Sequence, residues 1–226
     1  MYNDEDAGII RIPYSPFKKF RVPKQQMAQK RSITMEQLHA IMRVPDGRTA
    51  DSRQTLARDV FLLSFGLIGM NSVDLFRCTQ YRGKRITYQR SKTKDRREDN
   101  AQISILVESC VLPLVEKYRD KAGKRVFNFY QRYADHRVFN AALNKGLKQV
   151  GQLVGIDGLE FYAARHTWAT IARNKAHIDK ETIHEALNHV DEHMRVTDIY
   201  IDKDYSLQDA ANRNVLELVN YEVKGK

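Results

Sequence analysis

The 226-residue chain has little cysteine, little proline and no long hydrophobic run, and each shortage excludes a class of protein. Its two cysteines, Cys78 and Cys110, allow at most one disulfide, and no cysteine–histidine cluster has the spacing of a zinc site. The longest apolar run, Val60 to Met70, falls well short of the roughly 18 residues that a membrane span needs. No apolar segment follows a charged N-terminal start. These absences predict a protein of the reducing cytoplasm, without a metal site or a membrane span.

Positive charge is what the chain has in excess. It contains 38 Lys+Arg and 28 Asp+Glu, a net charge of +10, with enough hydrophobic residues (42%) to bury a core. Between Arg77 and Arg97 there are nine basic residues and one acidic residue, whereas acidic residues outnumber basic ones by eight to five after Leu187. A localised positive face indicates a polyanionic partner, because a basic residue that meets a phosphate releases counterions. A plain globular protein of high isoelectric point is the alternative.

The pattern of apolar and turn-forming residues predicts an arm followed by one compact domain. Residues 1–31 contain three of the five prolines and are predicted to form an extended basic arm. Residues 32–226 form the domain, and a capping box at Thr34–Gln37 predicts its first helix. A core helix is predicted from about Ser52 to near Leu75, because that stretch is hydrophobic on all sides.

Alternating residues predict a hairpin of two strands, Arg85–Arg90 and Gln102–Val107, preceded by a turn at Tyr81–Lys84. Further helices are predicted before the basic turn Lys121–Arg125, from a cap at Asp135, over Phe161–Asn174, from a cap at Asp179 and from a cap at Ser206. The predicted fold class is therefore mainly α with a small antiparallel β-sheet.

Four motifs follow one another along the chain. They are Arg90-Ser91-Lys92-Thr93, Tyr162-Ala163-Ala164-Arg165-His166-Thr167-Trp168, Leu187-Asn188-His189 and Tyr200. In this order they resemble the catalytic domain of the tyrosine recombinases, the phage-integrase family, which has a His-x-x-Arg-His box, a Leu-Gly-His box and then a nucleophilic tyrosine. Together with Gly69-Met70-Asn71 and Ile199-Tyr200-Ile201, they look like the branch common in Bacteroidetes mobile elements.

The resemblance covers the chain from about Thr34 to the end, and it implies the tyrosine recombinase catalytic-domain fold. The arm looks like a remnant of the link to an absent N-terminal domain that clamps DNA. The implied function is that of a site-specific recombinase or integrase, which cleaves and religates DNA through a 3′-phosphotyrosine intermediate. No cofactor is implied, because the covalent intermediate conserves the energy of the broken bond.

The resemblance also implies a role for each motif residue. Tyr200 would be the nucleophile, and Lys92 the general acid for the leaving 5′-oxygen. Arg165 suits the phosphate because its planar guanidinium donates two parallel hydrogen bonds and keeps its charge. His189 would donate a hydrogen bond to a phosphoryl oxygen or move a proton. Tyr205 is a competing nucleophile, which we rank below Tyr200 because acidic neighbours would repel the phosphate.

Two residues depart from the family pattern. Asn71 stands where the family has its first arginine, and Tyr162 replaces the usual histidine of the second box but keeps a hydrogen-bond donor. Arg90 is the predicted substitute for the missing charge, because residues i and i+2 of a strand share a face and would bring Arg90 and Lys92 to one phosphate. A plain ion pair of Arg90, with Asp74 as the candidate partner, is the alternative.

The implied partners are double-stranded DNA attachment sites, on which the recombinase would act as a homotetramer, and no membrane is involved. The predicted DNA-binding residues are Arg82, Lys84, Arg85, Lys94, Arg96 and Arg97. The helix after Ser206 would dock on a neighbouring subunit or else cover its own core; its apolar residues are Val215, Leu216, Leu218 and Val219. Trp168 is predicted to lie in the core and not to stack on bases.

Three other functions remain open at the level of the sequence. A DNA-binding protein of the same fold that has lost catalysis is consistent with Asn71 and Tyr162. A type IB topoisomerase would use the same chemistry without site preference. A structural protein with a fortuitously high isoelectric point would show no salt-dependent affinity for DNA.

Overall fold

The computed structural model describes residues 3–4, 8–10, 21, 31–47, 49, 52–96, 100–189 and 204–223. The chain divides into two units, Met1–Lys30 and Arg31–Lys226. In the first unit, the short strands β1 (Asn3–Asp4) and β2 (Ile9–Ile10) pair in antiparallel fashion.

The second unit is mainly helical and has a small antiparallel sheet, which confirms the predicted fold class at this coarse level. Its helices are α1 (Met35–Arg43), α2 (Arg53–Gly66), α3 (Ser72–Arg77), α4 (Leu112–Lys117), α5 (Phe129–Arg132), α6 (His136–Val154), α7 (Ala163–Asn174), α8 (Lys180–Ala186) and α9 (Ser206–Leu218). Its strands are β3 (Gln80–Arg82), β4 (Arg85–Gln89) and β5 (Gln102–Leu106), and a 3₁₀ turn spans Lys94–Arg96.

Side-chain caps fix where most of the predicted helices begin. The Thr34 hydroxyl accepts from the Gln37 amide at 3.2 Å and the Gln37 side chain accepts from the Thr34 amide at 2.9 Å, so the predicted capping box is confirmed. Asp135 and Asp179 cap α6 and α8 as predicted. The predicted cap at Ser206 is wrong, because Ser206 is the first residue of α9 and donates its amide to Asp204 at 2.8 Å.

The predicted core helix from Ser52 to Leu75 is too long, since α2 ends at Gly66. Ile68 and Gly69 follow with φ of 57° and 66°, in the left-handed region that ends a helix. Asn71 then starts α3, where its side-chain oxygen accepts from the Ser72 amide at 2.8 Å. Hydrophobicity continues across this break because the turn is itself buried, so the sequence pattern did not reveal it.

The sheet has the order β3-β4-β5, and the predicted hairpin of β4 and β5 is confirmed, with Ile86 opposite Ile105. The additional strand β3 lies where only a turn was predicted. It joins β4 through Gly83 and Lys84, both at positive φ (54° and 61°), the backbone that a tight two-residue hairpin requires. A three-residue strand is too short for alternation to identify it.

The core forms where α2 packs against α6 and α7. Gly146 permits the close crossing of α6 over α2, because a Cβ atom there would lie 2.5 Å from the Arg53 carbonyl oxygen. Trp168 is fully buried, as predicted, and its indole donates to Asn212 at 2.9 Å. The Asn212 amide in turn donates to the Gly66 carbonyl at 3.0 Å, which joins α9 to α2 and α7.

The sequence left two roles open for the apolar residues of α9, which are docking on a neighbouring subunit and covering the core of their own domain. Most of them cover the core. Val215, Leu216 and Val219 are buried, and Leu218 is 39% exposed. Among the residues that the structure describes, no helix is long and apolar enough to cross a membrane.

Candidate active site

Among the predicted site residues whose side chains the structure describes, Arg165 is the most deeply buried, at 6% exposure. It lies on the first turns of α7, where Nη1 donates to the Gly69 carbonyl at 3.3 Å and Nη2 donates to the Leu187 carbonyl. Gly69 allows this approach, because a Cβ atom there would lie 2.5 Å from the Cα atom of Arg165. The guanidinium is therefore fixed between the turn after α2 and the segment after α8.

The Leu187-Asn188-His189 segment is anchored by its backbone. Asn188 has a φ of 51°, in the left-handed region, at the position where the motif that the sequence resembles has glycine. Asparagine tolerates this conformation better than other non-glycine residues, and its side chain donates to the Ala101 carbonyl at 3.0 Å. The His189 amide donates to the His184 carbonyl at 2.8 Å. His189 is thus held next to the carbonyl groups that Arg165 contacts.

Arg90 reaches the same segment from the sheet. Its amide donates to the Ala101 carbonyl at 3.1 Å, just beyond the end of β4. Its Nη1 donates to the Asn188 carbonyl at 2.9 Å and to the Leu187 carbonyl at 3.3 Å. The guanidinium groups of Arg90 and Arg165 therefore share the Leu187 carbonyl as an acceptor.

The strand argument for placing Arg90 beside Lys92 is wrong, because β4 ends at Gln89 and Lys92 lies in the following turn. The alternative ion pair of Arg90 with Asp74 is also not found among the described residues. Asp74 instead accepts from the Ser91 amide at 2.9 Å, which holds the turn that carries the exposed Lys92.

The positive charges of this cluster act on one another. Desolvation and the charges of Arg165, Arg90 and, more weakly, Lys92 lower the pKa of His189 to about 4. Burial and the charge of Arg90 likewise lower the pKa of Arg165 below its ordinary value. The imidazole is therefore neutral at pH 7, and the two guanidinium groups are close enough to repel each other.

The carboxylate of Asp74 lies near these cations but forms no ion pair with them. Asp74 is 3% exposed, and burial raises its pKa, against the effects of hydrogen bonds from Ser91 and of the charges on Arg90 and Arg165. A cluster of nitrogen donors with an electrostatic surplus of this kind favours an anion that brings several acceptor oxygens, as a phosphodiester does.

The tyrosines are placed differently. Tyr162 precedes α7, is 36% exposed and packs edge to face against His166, with the ring centroids 4.9 Å apart. Tyr205 lies at the start of α9 below the guanidinium of Arg85, and its buried hydroxyl has no hydrogen-bond partner among the residues that the structure describes. Tyr200 lies outside the described residues.

The predicted DNA-binding residues differ in their exposure and in their partners. Arg82 and Lys84 are exposed at the turn between β3 and β4, and Lys94 lies in the 3₁₀ turn that Arg96 ends. Arg85 is bound to Asp209 of α9 at 2.6 Å and to Ser104 at 2.9 Å. Arg97 lies outside the described residues.

Sequence reasoning missed the part that the backbone plays in this site. The carbonyl groups of Gly69, Leu187 and Asn188 position both guanidinium groups, and a carbonyl carries no signature in the sequence. The glycine at position 69 was the available signal, because glycine often marks a close approach of the backbone to another group.

Within the described ranges, no group of three or more His, Cys, Asp or Glu side chains could hold a metal ion. Comparison of the chain with protein-family models, curated proteins and solved structures finds no match in any of the three.

Proposed function

We propose that this chain is the catalytic domain of a tyrosine recombinase, which cleaves and religates DNA at specific sites. The observation that carries the proposal is the convergence of Arg90 and Arg165 on the Leu187 carbonyl, two residues before His189. These residues belong to three different motifs. Arg165 lies 22 positions before Leu187 in the chain, and Arg90 lies 97 positions before it. A site that collects two guanidinium groups and an imidazole from such distances suits a phosphodiester.

In the proposed reaction, Tyr200 Oη attacks the phosphorus as the bond to the 5′-oxygen breaks, and a 3′-phosphotyrosine forms. Arg165 and Arg90 donate hydrogen bonds to the non-bridging oxygens, where negative charge develops. Lys92 gives a proton to the leaving 5′-oxygen, and the neutral His189 takes up the proton that the Tyr200 hydroxyl loses as it attacks. Attack by a free 5′-hydroxyl reverses these steps and religates the strand.

In this proposal Arg90 supplies the charge that Asn71 lacks. Asn71 is committed to α3, since its side-chain oxygen caps that helix. Arg90 contacts the carbonyl group that Arg165 also contacts, so both can serve one phosphate.

The proposed partners are double-stranded DNA sites, on which the recombinase acts as a homotetramer. The apolar residues of α9 take little part in subunit contacts in this proposal, because Val215, Leu216 and Val219 are already buried in their own core. Leu207, 61% exposed on the first turn of α9, remains available for such a contact.

A suicide substrate, nicked next to the cleavage point, tests the proposal. A short fragment diffuses away after cleavage, so the protein–DNA bond accumulates and a covalent band appears on a denaturing gel. We expect the band with the wild-type protein and with Tyr205→Phe, and its loss with Tyr200→Phe. Absence of the band from the wild-type protein at full DNA occupancy would overturn the enzymatic function.

The second candidate function is a DNA-binding protein of the same fold without catalysis, which the use of the Asn71 side chain as a helix cap favours. This candidate predicts salt-dependent DNA binding with no covalent band under any condition. The same substrate therefore separates the two functions.

A further inference from the structure

A groove of about 510 Å³ opens beside Lys92, between α3, the turn after β4 and the first turns of α6. Six side chains with nitrogen atoms line it: Asn71, Arg77, Lys92, His136, Arg137 and Asn140. No acidic residue that the structure describes is part of its lining. Apart from Asn71 and Lys92, none of the six belongs to the predicted site.

The two arginines of the groove differ from several other arginines of the domain in having no acidic partner among the described residues. Arg58, Arg85 and Arg213 each form an ion pair with a carboxylate at 3.1 Å or less. Arg77 and Arg137 form none with any residue that the structure describes. Two guanidinium groups without an ion pair therefore lie along one groove with the Lys92 ammonium. The carboxylate of Asp135 lies near Arg137, whose charge helps to lower its pKa, but it accepts from backbone amides at the start of α6.

The neutral side chains of the groove also present donors. The Asn71 oxygen accepts from the Ser72 amide and the Asn140 oxygen accepts from the Ser72 hydroxyl, each at 2.8 Å, which leaves both NH₂ groups as donors. Arg77 contacts Nδ1 of His136 at 3.4 Å. Because arginine can only donate, Nδ1 accepts and the ring proton resides on Nε2, so this nitrogen is a donor as well.

We infer that this groove binds the phosphodiester backbone of the DNA strand beside the cleaved phosphate. Donors without acceptors fit phosphate oxygens, which only accept, and they fit poorly the edges of bases, which present both kinds of group. The inference rests on the proposed function for the identity of the strand, because Lys92 is shared between the groove and the catalytic cluster.

The test is the salt dependence of DNA binding, measured by fluorescence anisotropy with a duplex of about 30 base pairs and the full chain. Each lost phosphate contact lowers the slope of log K against log salt by about 0.9, which weakens binding about eightfold at 0.1 M salt. We expect this change for Arg137→Gln and twice this change in slope for the double variant Arg77→Gln, Arg137→Gln. Arg137 is exposed, so its replacement leaves the fold intact.

Arg43→Gln is the matched control, because Arg43 is an exposed arginine of α1 that lies outside the groove. It removes the same charge from the domain without removing a groove donor. Equal slopes for Arg137→Gln and Arg43→Gln would overturn the inference. A lower slope for Arg137→Gln alone supports it.

Covalent capture on the nicked substrate keeps this result separate from the proposed function. If the wild-type protein forms the covalent bond and the Arg137→Gln slope equals that of Arg43→Gln, the groove inference fails and the function stands. If the Arg137→Gln slope falls and no covalent bond forms, the groove binds DNA backbone and the enzymatic function fails.

Discussion

In α2 the carboxylate of Asp59 binds the ammonium of Lys117 at 2.7 Å and the hydroxyl of Tyr118 at 2.8 Å, whereas Asp74 forms no ion pair with Arg90 or Arg165. Both carboxylates are almost completely buried. Asp59 forms ion pairs with Arg58 and Lys117. Near Asp74, in contrast, the two guanidinium groups of Arg90 and Arg165 lie close together, and we call this pair the like-charge cluster. In the first arrangement each charge compensates the other, so removing one leaves a buried charge unpaired. In the second, Arg90 and Arg165 repel each other, and a bound anion would relieve that repulsion. Under the proposed function, charge would hold the fold together in one place and bind a phosphate in the other.

The largest effect is expected from the arginines of the like-charge cluster. Replacing Arg165 by Ala should slow covalent-bond formation on the nicked substrate by about 100- to 1000-fold, and replacing Arg90 by Ala by about 100-fold, because each removes a donor to the transition state. The measurement is a single-turnover rate at saturating DNA.

The matched control for these arginines is Arg213→Ala, which removes one half of an exposed ion pair with Glu108. It should leave both the rate and the midpoint of urea unfolding almost unchanged, because the arginine is exposed to solvent. If Arg90→Ala also leaves the rate unchanged while Arg165→Ala abolishes cleavage, Arg90 does not replace the charge missing at Asn71.

The two buried carboxylates can be compared by the same substitution. Asp59→Asn should lower the free energy of unfolding by about 3 kcal/mol, because it leaves Lys117 without its counter-charge and Arg58 with Asp46 alone. Asp74→Asn should lower it by less than about 1 kcal/mol, because the amide oxygen still accepts from Ser91 and no ion pair is broken. Urea unfolding measures the free energy of unfolding of both variants. Equal losses would contradict the difference that we draw between the surroundings of Asp59 and of Asp74.

The like-charge cluster also depends on a glycine. Gly69→Ala should lower the free energy of unfolding by about 2 to 3 kcal/mol, since the new methyl group overlaps the backbone of Arg165 at a positive φ. Gly155→Ala is the control, because it has nearly the same φ and no atom within 4 Å of the added Cβ. It should cost about 1 kcal/mol. Equal costs would mean that the close approach to Arg165 contributes nothing.

The smallest effect is expected from pH. The pKa of His189 is about 4 in the folded chain and about 6.5 when unfolded, so below pH 6.5 the unfolded chain binds a proton that the folded chain does not. Stability from this source is constant above pH 6.5 and falls as the pH falls toward 4. The effect is small because the ring is partly exposed. Between pH 7 and pH 4, we expect the free energy of unfolding to fall by about 1 kcal/mol less in His189→Gln than in the wild-type protein. Urea unfolding at both pH values checks this, and identical losses would contradict it.

Local signals predicted most of the fold. Capping residues such as Thr34 and Asp135 form hydrogen bonds within one turn, so the sequence alone identifies them. The break after Gly66 and the strand β3 were missed, because each depends on long-range contacts. Gly69 turns the chain where Arg165 approaches from a helix nearly 100 residues away, and β3 exists only because β4 pairs with it.

The candidate site was predicted in part for a similar reason. Motif order indicated Arg165, Arg90 and His189, and the structure brings these three together. Which side chains are committed to the fold could not be inferred, because an arginine looks the same in a sequence with or without an acidic partner. Arg85 was predicted to meet DNA and is bound to Asp209, whereas Arg137 attracted no prediction and lines the groove.

The anchoring of α9 and of Asn188 bears on the effective concentration of Tyr200 at the candidate site. Asn188 is tied to Ala101, and α9 is tied to β4 through Arg85 and Asp209, so both ends of the segment that contains Tyr200 are attached to the sheet. Fourteen residues separate His189 from Asp204. A group joined to a site by so short a chain has an effective concentration on the order of millimolar, whatever the amount of protein in solution. Under the proposed function, diluting the complex of protein and DNA would therefore not slow the attack by Tyr200.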